Sequence, residues 1–195
     1  MKKELICRIF SNMPELQTER LVLRRMRLGD AEDMYDYAHR ADVTKFLRWS
    51  PHPDIYYTQD YLRYLATRYA AGSFYDWAVI YKANHRMIGT CGFTSFSCPD
   101  DAAEIGYVLH PDYWGQGLAV EAARAVLAFG FDHLLLHRVE ARFMQENTAS
   151  LRVMQKLGMT FEGYHRESML IKGSYRTIGY CSLLSSEFER IPISK

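Results

Sequence analysis

Apolar and polar positions recur along the chain with two periods, one near two residues and one near 3.6. Alternation marks strands. Residues 18–26 interleave apolar positions with Arg20, Arg24 and Arg25 and predict a first strand. Residues 77–81 and 87–93 predict a hairpin around Ala83-Asn84-His85, and 103–109 a third strand of the same sheet. Residues 139–143 predict a further strand. Residues 161–171 and 175–184 predict a closing hairpin that turns at Lys172-Gly173-Ser174. Helical spacing fills the stretches between. Asp30 is placed to cap a helix running to about Ala38, with Asp33 at the capping-box position. A second helix is predicted over 58–71 and is stopped by Gly72, after a loop at Ser50-Pro51-His52-Pro53-Asp54. Ala119, Ala122, Ala123, Val126, Leu127 and Gly130 define a helix over 118–133. Asn147 is placed to cap a last helix through Leu157, ended by Gly158.

The order is strand, two helices, three strands, helix, strand, helix, two strands. It predicts the α/β (α+β) class, a mixed sheet with helices packed on it. With 195 residues, no Pro/Gly/Ser-rich linker and no repeat of fixed period, residues 1–195 read as one domain. Lys plus Arg number 24 against 23 Asp plus Glu, so the basic excess of a dedicated nucleic-acid binder is missing. Cys7, Cys91, Cys98 and Cys181 form no C-x-x-C pair and no metal-spaced cluster with histidine, which suits a reduced compartment. The first residues have no apolar stretch of signal-peptide length, and the longest apolar run, 125–131, is far short of the ~20 residues of a membrane span. A soluble, cytoplasmic protein is expected, with no membrane and no nucleic-acid partner.

The chemistry concentrates between Glu104 and Glu121. A strand ends at Leu109, and a short loop leads through Trp114-Gly115-Gln116-Gly117 into a helix. Glycines let a backbone approach a ligand closely, and the first N–H groups of a helix have no internal acceptor. Together they make an anion cradle suited to phosphates. A Walker loop needs Lys-Ser/Thr after the last glycine, where Leu118-Ala119 stand. A dinucleotide fingerprint needs a small residue where Val120 stands. Both fail, which leaves a phosphate cradle of another kind or a glycine-containing turn without ligand.

This stretch resembles the acyl-CoA pyrophosphate loop of the GNAT acetyltransferases, and within them it is most similar to the RimJ/RimL-like group that acetylates ribosomal protein N-termini. Thr18-Glu19-Arg20-Leu21 resembles the opening strand of that group, and Glu104-Ile105-Gly106-Tyr107 its central strand. Asn147-Thr148-Ala149-Ser150 with Lys156-Leu157-Gly158-Met159 resembles its second CoA-contacting helix. Phe161-Glu162-Gly163 and Gly173-Ser174-Tyr175 resemble its closing hairpin. The resemblance covers about residues 16–190. It implies a GNAT fold, a mixed and mostly antiparallel sheet flanked by about four helices. It implies acetyl-CoA as cosubstrate, no metal, an amine acceptor (a protein N-terminus or a small molecule) and a possible homodimer.

Carried over, the resemblance places the backbone of Tyr107, Val108 and Leu109 along the pantetheine arm. It places Gly115, Gln116, Gly117, Leu118, Ala119 and Val120 around the pyrophosphate, and Asn147 against the pantetheine amides; Asn147 can serve as helix cap as well. Three positions depart from the group. Trp114 stands where the loop often opens with Gln or Arg, and Thr177 where an acidic residue is frequent. Met154 stands where many members carry a tyrosine that protonates the leaving thiolate; a thioether has no proton to donate.

The acceptor arrives as an ammonium and must lose a proton, a task for a carboxylate acting directly or through water. Glu104 is the first candidate, on one strand face with Gly106 and Val108, and Glu140 on the neighbouring strand is the second. The alternative for Glu104 is an exposed strand residue. Backbone N–H groups near Val108 and Leu109 are candidates for the oxyanion. Ser150 is a candidate donor to the thiolate, or else a plain third residue of its helix. Cys91 and Cys98 lack a motif histidine for covalent catalysis, and His133 with His137 lacks a third metal ligand. Residues 46–77 hold ten aromatics, which suit either an amine-binding wall or packing. Tyr57, Tyr61 and Tyr64 at helical spacing favour packing, and Trp49 and Tyr56 beside the proline loop favour a pocket. A catalytically silent acyl-CoA-binding module is the alternative function, and Met154 is the residue that argues for it.

Overall fold

The computed structural model describes residues 3–189. In chain order the elements are α1 Lys3–Ser11, β1 Leu16–Gln17, β2 Leu21–Arg24, α2 Ala31–Ala38, α3 Ala41–Thr44, α4 Ile55–Ala70, β3 Asp76–Tyr81, β4 Met87–Ser97, β5 Ala102–Leu109, α5 Leu118–Asp132, β6 Arg138–Met144, α6 Thr148–Lys156, β7 Thr160–Ile171 and β8 Ser174–Leu184. One eight-stranded sheet runs β1-β2-β3-β4-β5-β6-β8-β7. Its neighbours are antiparallel except β5 and β6, which pair in parallel across the α5 crossover. This is the mixed sheet that the element order predicts, and the mostly antiparallel one that the resemblance implies. No helix of the described residues is long and apolar enough to cross a membrane.

Alternation decides what each sheet face meets. Trp77, Cys91 and Tyr107 form one row across β3, β4 and β5. Trp77 is fully buried and meets Phe10 of α1 and Phe129 of α5 at ring-centroid distances of 5.6 Å each. Asp76, Gly92 and Gly106 form the next row, and Ala78, Thr90 and Val108 the one after. Those two rows face α2 and α4 on the opposite side.

Six α-helices stand among the described residues, against about four expected. The unexpected ones are α3, four residues with no period to read, and α1. Ile6 and Phe10 of α1, four positions apart, are both buried, so the segment is amphipathic and docks its apolar stripe into the core. The expected strand over 18–26 is broken in two. The chain bends at Glu19-Arg20 because Thr18 and Arg20 turn to Glu121 on α5.

Two expected caps do other work. Asp30 sits at the head of α2, yet its carboxylate accepts from Arg24 at 2.7 and 2.8 Å and from the Arg27 N–H, and makes no cap bond to α2. Asp33 accepts from Arg86 and from the Met87 N–H instead of closing a capping box. Helix α4 begins at Ile55, earlier than expected, because the Asp54 carboxylate accepts from the Tyr57 N–H at 2.8 Å. Asn147 does cap α6, accepting from the Ser150 N–H at 3.2 Å.

Candidate active site

The strand-to-helix loop before α5 has an exposed backbone that is held in place. Gly115 and Gly117 adopt φ of 75° and 79°, the left-handed region where a β-carbon is disfavoured. The first helical bond of α5 runs from the Glu121 N–H to the Gly117 carbonyl. The N–H groups of Leu118, Ala119 and Val120 therefore head the helix without an acceptor inside it, at its positive end. Trp114 donates its indole N–H to the Leu109 carbonyl at 2.7 Å, and the Gln116 side chain donates to the Asp112 carbonyl at 2.8 Å. Arg20 donates to the Gln116 carbonyl at 3.0 Å.

The anchor of this loop is Glu121. It accepts from the Thr18 hydroxyl at 2.6 Å, the Arg20 N–H at 2.8 Å and the Arg20 guanidinium at 2.7 Å. Burial by itself would raise the Glu121 carboxyl. The three donors outweigh it and hold the group below its ordinary value.

Beside the loop, the sheet opens. The parallel pairing of β5 and β6 covers three residue pairs, Ala102 with Arg138, Ala103 with Val139 and Glu104 with Glu140. After Glu104 the ladder ends. Residues 105–109 stay paired to β4, and 141–144 to β8. Glu104 and Glu140, the two candidate bases, are thus ladder partners at the apex of the gap, and they share one guanidinium. Arg142 lies 3.6 Å from Glu104 and 3.8 Å from Glu140, with its head over the Tyr180 ring. Arg138 adds pairs to Glu140 and Glu162.

The two sides of the gap differ. On the α5/α6 side, the Tyr107 hydroxyl lies 3.0 Å from the Ser150 hydroxyl at the start of α6. Burial pushes the Tyr107 phenol well above its ordinary value, so it keeps its proton at any physiological pH. On the α2/α4 side, Val108 and Thr90 border a cavity of about 190 Å³. Tyr37 of α2, Trp49 and His52 of the proline loop, Tyr57 and Tyr61 of α4, and Asp76 of β3 also line it. His52 contacts the Trp49, Tyr57 and Tyr61 rings and bonds through Nδ1 to the Thr58 hydroxyl at 2.8 Å. A wider depression of about 610 Å³ over α2 does not reach β5, and its Asp33 and Asp36 are committed to Arg86.

Residues 20–160 match the Acetyltransferase (GNAT) domain. The chain belongs to the GNAT acetyltransferase family. It is similar to the uncharacterized N-acetyltransferase p20 of Bacillus licheniformis, with 35% identity over 176 residues, 90% of this chain and 99% of the relative. The ribosomal protein uS5-alanine N-acetyltransferase of Escherichia coli is 29% identical over 175 residues, 85% of this chain and 89% of its own length, and supports the RimJ/RimL-like grouping. Among solved structures, a GNAT-family acetyltransferase from Bacillus anthracis superposes with a TM-score of 0.80 at 29% identity, over 89% of this chain and all of the other.

In this GNAT domain the residues carried over from the sequence gather around one gap. Tyr107, Val108 and Leu109 form one rim of it, Gly115 to Val120 stand at the head of α5, and Asn147 and Ser150 open α6. Met154 is the buried residue of α6, so this position serves the core. The packing expectation holds for Tyr61, which packs against the core as well as lining the cavity, and is corrected for Tyr57 and Tyr64, which are exposed. Thr58, Leu62, Leu65 and Tyr69 form the buried stripe of α4, which leaves Tyr57 and Tyr61 on the cavity and Tyr64 exposed. Tyr56, expected beside a pocket, is 71% exposed, while Trp49 does line the cavity.

The side chain of Tyr107, named above only for its backbone, and the residue Asp76 escaped the sequence reading. The Tyr107 hydroxyl was legible only as a strand side chain facing away from Val108. Asp76 looked like the polar boundary of a strand, and nothing local announced its burial.

Proposed function

We propose that this acetyltransferase moves the acetyl group of acetyl-CoA to the α-amine of a protein N-terminus, by direct attack with both substrates bound. A small-molecule primary amine is the other acceptor class the cavity suits. The observation that carries this reading is the gap after Glu104–Glu140, which has an anion cradle and a hydroxyl pair on one side and an aromatic cavity on the other. The cradle fits acetyl-CoA by its donor chemistry. Backbone N–H groups at a helix N-terminus, framed by two left-handed glycines, suit a pyrophosphate without a lysine. Tyr107, Val108 and Leu109 then border the pantetheine arm with their backbone groups, and Asn147, whose Oδ1 is used by the cap, offers its NH2 to an amide.

Acetyl-CoA supplies an activated acyl carbon. The chain positions it and moves protons. Backbone N–H groups of the Val108–Leu109 segment are placed for the developing oxyanion. Glu104 at the apex of the gap takes a proton from the reacting nitrogen through a water. Ser150, backed by the protonated Tyr107 phenol, donates to the departing thiolate, which replaces the role that Met154 vacates. The uS5-alanine acetyltransferase of Escherichia coli supports the protein N-terminal class of acceptor. A ribosomal-protein acceptor would set the reaction in the cytoplasm.

The test is CoA thiol release from acetyl-CoA across N-terminal peptides of ribosomal proteins, polyamines, amino acids and aminoglycosides, with Glu104→Gln alongside. Release that depends on the peptides and falls in the variant is the expected result. Acetyl-CoA binding with no acceptor-dependent release would favour a silent binding module instead.

A further inference from the structure

Asp76 is a half-buried residue whose carboxylate has no ion-pair partner among the described residues. It opens β3 beside the cavity, and its Oδ1 is shut off from solvent with no hydrogen-bond partner. The Tyr37 hydroxyl, which lines the same cavity, is also buried and unpartnered. The fold makes room for the carboxylate on purpose of geometry. Gly92 is its ladder partner, and a β-carbon there would come within 2.4 Å of the Asp76 Cα and 2.8 Å of its Oδ1. A carboxylate oxygen held from water with no donor is costly, and such groups concentrate where a ligand completes them.

No lysine or arginine lines the cavity. Its nearest basic group is His52, and burial lowers the His52 imidazole below its ordinary value, so it is neutral near pH 7. The walls are aromatic, with Trp49, Tyr57 and Tyr61 presenting rings. Aromatic walls around an unpaired carboxylate make a site for an organic cation.

On the acetyltransferase reading above, we propose that Asp76 is the counter-charge and first proton acceptor of the acceptor's ammonium group, which the cavity holds between Asp76 and Val108. The sheet fixes the distance. Asp76 is paired to Gly92 and Gly92 to Gly106, so the Asp76 backbone stands two strands from the rim of the gap, about 10 Å away. The Asp76 Oδ1 lies over Gly92, 2.8 Å from where a β-carbon would stand, so it is about one strand spacing (~5 Å) from the rim, and the amine nitrogen sits in that interval.

The proton count closes. R–NH3+ gives one proton to the Asp76 carboxylate and keeps its lone pair. The nitrogen forms a bond to the thioester carbonyl carbon and loses its second proton to Glu104 through water. The C–S bond breaks with its electron pair on sulfur, and the thiolate takes a proton from Ser150. The Glu104 proton returns to Ser150 through water, the Asp76 proton passes to solvent, and one proton is released per turnover.

Burial raises the Asp76 carboxyl to about 7, with the Thr90 hydroxyl and the Trp77 N–H opposing. A base is most effective when its pKa lies near the working pH. The other titratable groups facing Asp76 are Tyr37 of α2, Tyr61 and Tyr69 of α4, Cys91 of β4 and His52. Burial raises the three phenols and the thiol, so they stay neutral in that range.

The test uses the full chain, with and without CoA, and two probes of one shape, benzylamine and benzyl alcohol. Binding is measured by calorimetry at pH 6 and pH 8 in wild type and Asp76→Asn. At pH 8 benzylamine is expected to bind wild type at least ~10-fold more tightly than the variant, while benzyl alcohol binds both alike. On going to pH 6 the wild-type preference for the amine is expected to shrink toward that of the variant. Equal benzylamine affinity in the two proteins, or none in wild type, overturns the proposal. Should Asp76→Asn fail to fold, the wild-type pH dependence decides, since loss of amine affinity must not be shared by the alcohol. Acetyl-CoA binding is titrated separately. Its absence would sink the acetyltransferase reading and leave the Asp76 result standing on its own.

Discussion

Arg20 Nε lies 2.7 Å from Glu121 Oε2, across 101 positions of sequence. The pair ties the bend between β1 and β2 to the first turn of α5, and the same guanidinium reaches the Gln116 carbonyl inside the glycine loop. Sequence alone shows Thr18-Glu19-Arg20-Leu21 as the start of a strand. The structure shows it as the clamp on the glycine loop before α5.

Glu121→Gln is therefore expected to weaken acetyl-CoA binding by about tenfold, from ~1–2 kcal/mol of lost charge-assisted bonding at a partly exposed pair. The acid limb of stability should change as well. The folded-state value of Glu121 is depressed, so its contribution is complete above its ordinary value near 4.5 and is lost as pH falls through the folded value. Acid unfolding followed by circular dichroism should show a shallower fall in the variant. An unchanged acetyl-CoA affinity would mean that the clamp is dispensable.

Gly117→Ala tests the backbone of the cradle. The nearest heavy atom to a β-carbon there is Arg20 Nη2 at 3.7 Å, so space is free and the cost is conformational. About 1–2 kcal/mol of stability should be lost to the left-handed φ. The KM for acetyl-CoA should rise more than kcat falls in steady-state assays.

The hydroxyl pair on the α5/α6 side predicts a kinetic signature. Ser150→Ala is expected to lower kcat about tenfold, less than a general acid often gives because a thiolate leaves readily. Tyr107→Phe should cost less. The double variant should be no slower than Ser150→Ala, because the phenol acts through Ser150. Additive losses in a double-mutant cycle would separate the two roles.

Gly92→Ala is expected to destabilise the fold by about 1–3 kcal/mol, since its β-carbon meets the Tyr75 carbonyl and the Asp76 Cα at 2.4 Å. A urea midpoint equal to wild type would show that β3 and β4 can part without penalty there.

Asp76 predicts an unusual slope of stability with pH. Its carboxyl is raised from an ordinary 3.8 to about 7, so between those values the folded chain binds more protons than the unfolded one. Stability from this group is full at the acid end and is lost as pH rises toward 7. Asp76→Asn should remove the slope, and its gain over wild type in urea unfolding should be larger at pH 8 than at pH 5.

Elements with a local cause were legible in the sequence. The alternation of β3 to β8, the apolar spacing of α5 and the cap at Asn147 depend on neighbours within a turn or a pleat. The residues gathered at the gap were legible through the family resemblance. What stayed hidden depends on partners far along the chain. Asp33 was expected to close a capping box, but Arg86, 53 positions on, takes its carboxylate. Phe10 was invisible as core because its partners Tyr75, Trp77 and Phe129 lie on other elements. Asp76 is a common strand-boundary residue until α2 and α4 close over it.

The three-pair join between β5 and β6 has a mechanical consequence. The eight strands form two plates, β1 to β5 and β6 to β8, coupled through the sheet at one short seam. A ligand seated in the gap touches both plates and works as a splint. It adds to the free energy needed to pry them apart by the logarithm of its concentration over its dissociation constant. Slowed amide exchange along residues 105–109 and 141–144 would report that splinting, so occupancy of the site can be read in the stiffness of the sheet.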